Sequence, residues 1–561
     1  MRVCALVVTF LIIIVSSAHA LDVVEGGQSQ FTIVTADEPT QTAQFAAEEL
    51  QSYLQQITGA ELPLVTEAEA PDGPCIYVGP CQAAIEADLV PEEREAFAIR
   101  QLSDDLLIVG EDSEGHPLYS DSRTERPLAR TGTLYGVYEL LRRYGDVRWL
   151  WPGELGEVVP RTDSFSVPDG IDWSEAPDFQ IRNLWLTYRN PDWQEREYHR
   201  WWRQNGQGQA LTGNSSHVYW KRIGGNSHFD EHPEYYAMID GKRRPLDGWR
   251  GQICTSNPEV ARIFAESVLE DPLDIAPAAP NDGGGFCQCP TCEALDVPTN
   301  LIPWRGREIP ALTDRIFTFL NEVAAIVGER DPDKMLGHYA YTFFKAPPAE
   351  IEDLDDSIVL FFAQACHWFR DPELKERYRG YIDAWSKFGN PMVSREYIGL
   401  TYWFDMPNIH TRRIEEEIAY LEDHGFIGMN SEMSRNFATH APNYYLAARM
   451  LWDTSLTREE VLADFYESGF GPAADDVAEY FDIFERRLEE LGAAAAGAGS
   501  RNIMDVPDQF DAQTRAEARA ALERAYAKTD DPTITARLDF VRIGLDYADI
   551  TCETMRLLEK I

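Results

Sequence analysis

Positive charge is what this chain has least of. Fifty Lys and Arg stand against 94 Asp and Glu in 561 residues, a formal net charge of −44. No basic stripe with interleaved aromatics interrupts that field, which repels nucleic acid and excludes it as a partner. The acidic excess itself has two readings: a solubilising surface for a salty or extracellular setting, or attraction of cationic partners. A local cluster can override the global field. Arg182, Arg189, Arg196, Arg200 and Arg203 lie close together and would suit a polyanionic substrate. The competing reading is solvated charge on a helix or loop, which Glu195 and Glu197 beside Arg196 favour.

Long apolar runs are also missing, apart from residues 3–15. Arg2 precedes that run and Ala18-His19-Ala20 follows it, the pattern of a signal peptide over residues 1–20 with a mature start near Leu21. The expected setting is therefore secreted or periplasmic. With no cysteine at the cleavage point, no lipid anchor is expected, and no later segment approaches a membrane span. Repeats at solenoid periods are lacking. So are H-E-x-x-H and a serine nucleophile elbow, and Gly283-Gly284-Gly285 lacks the following Lys and Ser/Thr of a phosphate loop. Neither a cofactor nor a catalytic metal is expected.

Cysteines are few but unevenly placed. Cys4 leaves with the signal, and Cys75, Cys81, Cys254, Cys287, Cys289, Cys292, Cys366 and Cys552 remain. In an oxidising compartment Cys75 and Cys81 make a short-loop disulfide. Cys287, Cys289 and Cys292, with Cys254 as a fourth, suit either a structural zinc or one or two disulfides; secretion favours disulfides. Under either reading the cluster staples a loop and is not a nucleophile, since no His-Asn partner pattern accompanies it.

What is present is ample core material: 44% of residues are apolar and 11% aromatic, enough for two or three domains. Ala46, Leu50, Tyr53, Leu54 and Ile57 form one helix face, stopped at Thr58-Gly59; Leu134, Val137, Tyr138 and Leu141 form another, closed by Gly145. Arg148-Trp149-Leu150-Trp151-Pro152-Gly153-Glu154 is then a rigid apolar exit. Strands are predicted at 31–34, 75–78, 97–99 and 106–109, with a linker at 172–176. From Phe179, strands alternate with helices: 179–185, 209–212, a third within 237–254, 273–277, 336–341, 358–364, 392–397 and 426–429. Eight such strands suggest a (β/α)8 barrel. Beyond Trp452 the pattern is helical. The fold class is thus α/β: a small mixed α/β domain over 21–170, a TIM-like barrel over 177–452, and a helical C-terminal region over 453–561.

The two N-terminal helices and the Trp-rich exit resemble the small α/β module that precedes the barrel in family 20 hexosaminidases and family 67 α-glucuronidases. Gly213-Asn214-Ser215-Ser216-His217, His232-Pro233-Glu234-Tyr235-Tyr236 and Gln252-Ile253-Cys254-Thr255-Ser256-Asn257-Pro258 resemble the uncharacterised bacterial barrel group of DUF4838 type, related to family 163 endo-β-N-acetylglucosaminidases. The resemblance implies a glycoside hydrolase.

Functional groups of a barrel sit at the C-terminal ends of its strands. That rule selects Asp282, Glu396 and Glu432 as catalytic candidates, because glycoside hydrolysis needs a proton donor and a second group at the anomeric centre. Against them stand an Asx turn for Asp282 and a helix cap for Glu432. Asn214 and His217 are candidates to bind sugar hydroxyls, His217 having a packed loop histidine as its other reading, and Tyr341, His367, Trp368, Tyr402 and Trp403 follow later strands, where rings either stack on sugar faces or belong to the core. In family 20 an Asp-Glu pair follows the fourth strand; Asp282 matches its Asp, while Gly283 stands where its Glu would be. The acid role passes to Glu396 or Glu432. The resemblance implies cleavage at β-N-acetylglucosamine linkages, retaining, with the substrate acetamido group as nucleophile. Two other readings are carried: an α-glucuronidase-like exo-hydrolase in which the Arg cluster holds a uronate, and a glycan-binding barrel without catalysis.

Overall fold

The computed structural model describes residues 20–119, 127–187, 192–248, 250–304, 306–399, 405–496 and 503–561. Residues 1–19, Arg189, Tyr402 and Trp403, and the readings attached to them, lie outside these spans.

The described chain opens with β1 (Ala20–Val24) and β2 (Thr32–Thr35). Helix α1 (Gln41–Thr58) buries the expected face, Ala46, Leu50, Tyr53, Leu54 and Ile57. Thr40 caps it by accepting the Ala43 N–H at 3.0 Å, and Gly59 ends it in the left-handed region at φ 79°. After β3 (Leu64–Thr66), β4 (Cys75–Val78), β5 (Phe97–Leu102) and β6 (Asp105–Gly110) comes α2 (Gly132–Tyr144), then β7 (Phe165–Pro168) and β8 (Asp172–Glu175). Six of these strands form one mixed sheet in the order β8-β5-β6-β4-β2-β3, while β1 pairs with β7. The start of α2 lies against the end of β6: a Cβ on Gly110 would come within 2.0 Å of the Gly132 carbonyl carbon.

Two expectations change here. Residues 172–175 are not linker but the edge strand β8, paired antiparallel with β5 and held by Trp173, which packs on Phe97 at 5.2 Å and under Arg143 at 3.7 Å. Cys75 and Cys81 are both buried and free. Cys75 opens β4 and Cys81 follows its far end, so the extended strand between them, at about 3.3 Å per residue, holds the thiols apart.

The second sheet comprises β9 (Ile181–Leu186), β10 (Gly208–Gln209), β11 (Ile275–Pro277), β12 (Met335–Ala340), β13 (Ile358–Ala363), β14 (Met392–Glu396) and β15 (Phe426–Met433). Helices α3 (Asp192–Gln204), α4 (Pro258–Leu269), α5 (Thr313–Gly328), α6 (Pro372–Trp385) and α7 (Thr411–Asp423) intervene, and α8 (Phe437–Trp452) follows. The strand order is β10-β9-β15-β14-β13-β12-β11, parallel throughout except at β10. Beyond β10 the chain reaches the opposite edge, where Gly213 and His217 bridge in parallel to Ile275 and Ala279. The sheet is therefore strongly curled. It departs from the expected eight (β/α) units: among the described residues it has seven strands, one antiparallel. The expected third strand is instead a small hairpin, Met238–Ile239 with Lys242–Arg243, whose Met238 N–H donates to Cys287 Sγ at 3.3 Å.

Helices α9 (Arg458–Phe470), α10 (Ala474–Leu491), α11 (Ala512–Ala527) and α12 (Pro532–Leu558) complete the chain, helical as expected. The Trp-rich exit is where they join the first sheet. Trp151 meets Phe465, Phe470 and Phe540 with centroids at 6.3, 6.4 and 5.0 Å. Arg537 donates to the carbonyls of Leu155, Glu157 and Gly469. No helix among the described residues is long and apolar enough to cross a membrane.

The arginine cluster belongs to the seam between the two sheets. Arg182 and Glu95 pair at 2.7 Å with both side chains 0% exposed. Arg203 lies 3.6 Å from the same carboxylate and donates to Tyr135 Oη at 2.6 Å, while Arg200 pairs with Glu49 at 3.0 Å. Guanidiniums buried and paired this way are structural, so the expected uronate-holding cluster is not assembled from them.

Candidate functional site

In-register parallel strands point partners to the same side, so the curled sheet has readable layers. Its lowest inner layer is apolar: Ile181, Ile275, Val359, Phe361 and Val393. One step further along the strands, Asn183, Asn430 and Arg395 share a level, and above them Trp185 stands opposite Glu432. Here the polarity of the interior changes, and a pocket of about 410 Å³ opens at the C-terminal ends of the strands. Trp185, Asn214, His217, Tyr339, Tyr341, Arg395, Tyr397 and Glu432 are among its lining residues.

Arg395 and Glu432 are its electrostatic centre. The Arg395 Nη2 and Glu432 Oε1 form an ion pair, with the side chains 7% and 13% exposed. Thr187 Oγ1 donates to the other carboxylate oxygen at 3.2 Å, and Arg395 Nη1 donates to the Glu396 carbonyl at 3.0 Å. The guanidinium also lies 4.7 Å from the Tyr397 ring centroid and 5.3 Å from that of Trp185. Burial works against its charge, but Tyr339, Tyr397 and Glu432 outweigh it and hold its pKa above the usual arginine value.

The other wall is polar and aromatic. Asn430 Nδ2 donates to Asn214 Oδ1 at 3.2 Å, and Asn214 Nδ2 to Ser216 Oγ at 3.2 Å. The Tyr339 hydroxyl donates to the Ser215 carbonyl at 2.6 Å. His217 packs on Tyr339 and Tyr341, centroids at 5.0 and 6.0 Å. Its Nδ1 lies 2.6 Å from the Pro280 carbonyl, which accepts the ring N–H, and its Nε2 lies 3.9 Å from Asp282 Oδ1. Asp282, 46% exposed, thus stands beside the pocket at the end of the β11 segment.

Of the expected site residues, Asn214, His217, Tyr341 and Glu432 line the pocket, and Asp282 reaches it through His217. Glu396 does not. It neighbours Arg395 on β14, so its side chain projects from the opposite face, where Oε1 accepts the N–H groups of Cys366 and Tyr397 at 3.0 and 2.8 Å. Burial, reinforced by Glu417, pushes its pKa well above the carboxylate range. His367 is likewise buried outside the pocket, 5.5 Å from the His410 ring, with its pKa lowered to about 3 by burial and by Arg370 and His440. Trp185, Tyr339, Arg395 and Tyr397 were not selected from the sequence. Their signal was strand parity: once Glu432 faces inward, the same register turns Trp185 and Tyr397 inward and Glu396 out.

No curated protein matches the chain. Among solved structures, a family GH115 4-O-methyl-α-glucuronidase with specificity for decorated arabinogalactans shares the fold at a TM-score of 0.57 and 13% identity, over 94% of this chain and 73% of that one. A Flavobacterium johnsoniae chitobiase of family GH20 aligns at TM-score 0.44 and 13% identity over 96% and 90% of the two chains. A Clostridium perfringens family 89 glycoside hydrolase aligns at 0.46 and 12%, over 89% and 60%. By sequence, the domain of unknown function DUF4838 matches residues 151–482, more than half the chain and a span holding every residue that lines the pocket. The chain belongs to the DUF4838 family.

Proposed function

We propose that this protein is a glycoside hydrolase acting on complex glycans and that its pocket recognises an acidic sugar. The observation that carries the reading is Arg395, a buried guanidinium presented to a sugar-sized pocket at the strand C-termini. A planar guanidinium holds a carboxylate through two parallel hydrogen bonds. Trp185, Tyr339, Tyr341 and Tyr397 supply faces on which pyranose rings stack, and the asparagine pair supplies donors and acceptors for hydroxyls. The GH115 protein whose fold the chain shares is a glucuronidase, in keeping with this substrate class. The leading segment 1–20, read as a signal peptide, supports action outside the cytoplasm.

Glu432 is the carboxyl set to take part in bond cleavage, with Asp282 as the second. A uronate arriving at Arg395 competes with Glu432 for the guanidinium and brings a like charge beside it.

Asp282 beside His217 favours a second reading, the N-acetylglucosaminidase implied by the family resemblance, in which Asp282 orients the substrate acetamido group. That reading then needs Glu432 as its acid, since Gly283 carries no side chain and Glu396 faces away.

The test is incubation of the full-length secreted protein with uronate-bearing oligosaccharides and with N-glycans, reading products by mass. Release of a uronic acid supports the first reading. A cut between two N-acetylglucosamines transfers the site to the second. Binding without any product would overturn the hydrolase and leave a glycan-binding protein.

A further inference from the structure

A second built site lies outside the pocket. The Sγ atoms of Cys254, Cys287, Cys289 and Cys292 all fall within 4.8 Å of one another, and all four residues are buried. Cys254 Sγ is 3.7 Å from that of Cys289 and 3.8 Å from that of Cys292. Sulfurs bonded to a tetrahedral zinc at about 2.3 Å stand about 3.8 Å apart, the edge of that tetrahedron. A disulfide requires about 2.05 Å and joins sulfurs in pairs, whereas Cys254 is placed equally between two others. All four are free.

Polar groups surround the sulfurs. The Met238 N–H donates to Cys287 Sγ at 3.3 Å and Arg243 Nη1 approaches the same sulfur at 3.6 Å. Ser256 Oγ lies 3.2 Å from Cys292 Sγ and 3.6 Å from Cys254 Sγ. The Met238 N–H and the Arg243 guanidinium are donors of the kind that orient a metal-bound sulfur and offset its charge. The buried cluster here consists of Ala237 and the four cysteines, with Met238 and Ile239 only partly covered, separate from the main core.

We propose that Cys254, Cys287, Cys289 and Cys292 bind one structural zinc ion, and that this ion fixes the loop carrying Asp282. The loop leaves the β11 segment, passes the contact of His217 with the Pro280 carbonyl, and enters the cysteine cluster within five residues of Asp282. Asn281 is clamped from the same side: its Nδ2 donates to the Gly251 carbonyl at 2.7 Å, and its backbone carbonyl accepts from Nε2 of Gln252, two residues before Cys254, at 2.7 Å. The metal thus ties both chain segments that bracket Asn281 and Asp282. The zinc assignment stands on the sulfurs alone; its effect on Asp282 rests on the pocket reading above.

Metal analysis of the full-length protein, prepared without chelator, tests the assignment. One zinc per chain is expected, and replacement by cobalt should give the thiolate-to-metal charge transfer and intense d–d bands of a tetrahedral four-sulfur site. Cys292→Ser should weaken zinc retention against a chelator by at least about 10-fold while shifting the cobalt spectrum to a three-sulfur form. Should Cys292→Ser fail to fold, the cobalt titration of the unaltered protein still decides the matter. An unreduced mass lighter by the hydrogens of one or two disulfides, or four titratable thiols that take up neither zinc nor cobalt, would overturn it. Chelation should also speed proteolysis at Gly283–Gly285, a readout independent of any glycosidase activity.

Discussion

Replacing Glu432 by Gln should destabilise the protein even though the side chain keeps its shape. Arg395 would remain in its pocket, 7% exposed, without its anionic partner. Removing one member of a fully buried ion pair costs about 3–5 kcal/mol. Three features reduce that here. The substituted amide would keep one acceptor oxygen, the Glu396 carbonyl still accepts from Arg395 at 3.0 Å, and two rings still face the cation, each worth about 0.5–2 kcal/mol. The expected loss is about 2 kcal/mol. Arg395→Met leaves Glu432 on the pocket wall, reached by solvent and by the Thr187 hydroxyl, and should cost less, about 1–2 kcal/mol. The double variant should then lose about 1–3 kcal/mol less than the sum of the two, since each single change strands a partner and the double strands none. Urea unfolding of the four proteins, followed by tryptophan fluorescence, closes the cycle. A Glu432→Gln protein as stable as the parent, with strictly additive single effects, would refute the pairing and with it the electrostatic centre of the site.

Two further outcomes follow from buried titratable groups. Glu396→Gln should change stability by less than about 1 kcal/mol at pH below the unfolded carboxyl's value, where the side chain is neutral folded and unfolded and the amide oxygen still accepts the Cys366 and Tyr397 N–H groups; thermal melts check this. Since burial raises that pKa, the parent's favourable contribution is present below the unfolded value and is lost as pH rises through the folded one, so the variant should gain on the parent as pH rises above the unfolded carboxyl's value. His338, His367 and His440 run the other way. Burial lowers each to about 3, so each binds its proton first in the unfolded chain. Stability present above about pH 6.5 should fall towards pH 3, with a slope of up to about 1.4 kcal/mol per pH unit for each histidine. His367→Asn should remove one histidine's share of that slope, and an unchanged slope would contradict the burial of its neutral ring.

How much of this was legible beforehand depended on the kind of signal. Helices α1 and α2 were, because their apolar residues recur at 3.6-residue spacing and tertiary packing agrees with that pattern. Strands β4 to β6 were as well. Asp172–Glu175 was not: a polar edge strand with a single large apolar residue, Trp173, has no alternation to read. The count of barrel strands failed at 237–254, where the segment pairs with itself as a short hairpin and packs against Cys287, distant in sequence. The arginines at 182, 200 and 203 read as either a polyanion-binding cluster or solvated charge because their partners, Glu49 on α1 and Glu95 just before β5, are distant in sequence. At the site itself, strand-end logic found Glu432, Asn214, His217 and Tyr341 but also chose Glu396, one residue from Arg395. Knowing that neighbours on a strand face opposite ways was enough to separate the two. Which of them faced inward required the register with β15.

That choice between neighbouring strands also gives the most direct test. On whichever glycan the unaltered protein cleaves, initial rates of Glu432→Gln and Glu396→Gln should be compared at saturating substrate. The account expects Glu432→Gln to lose about 10²–10⁴-fold in turnover and Glu396→Gln to stay near the parent rate. An inactive, folded Glu396→Gln beside an active Glu432→Gln would place the chemistry on the other face of β14 and contradict the site described.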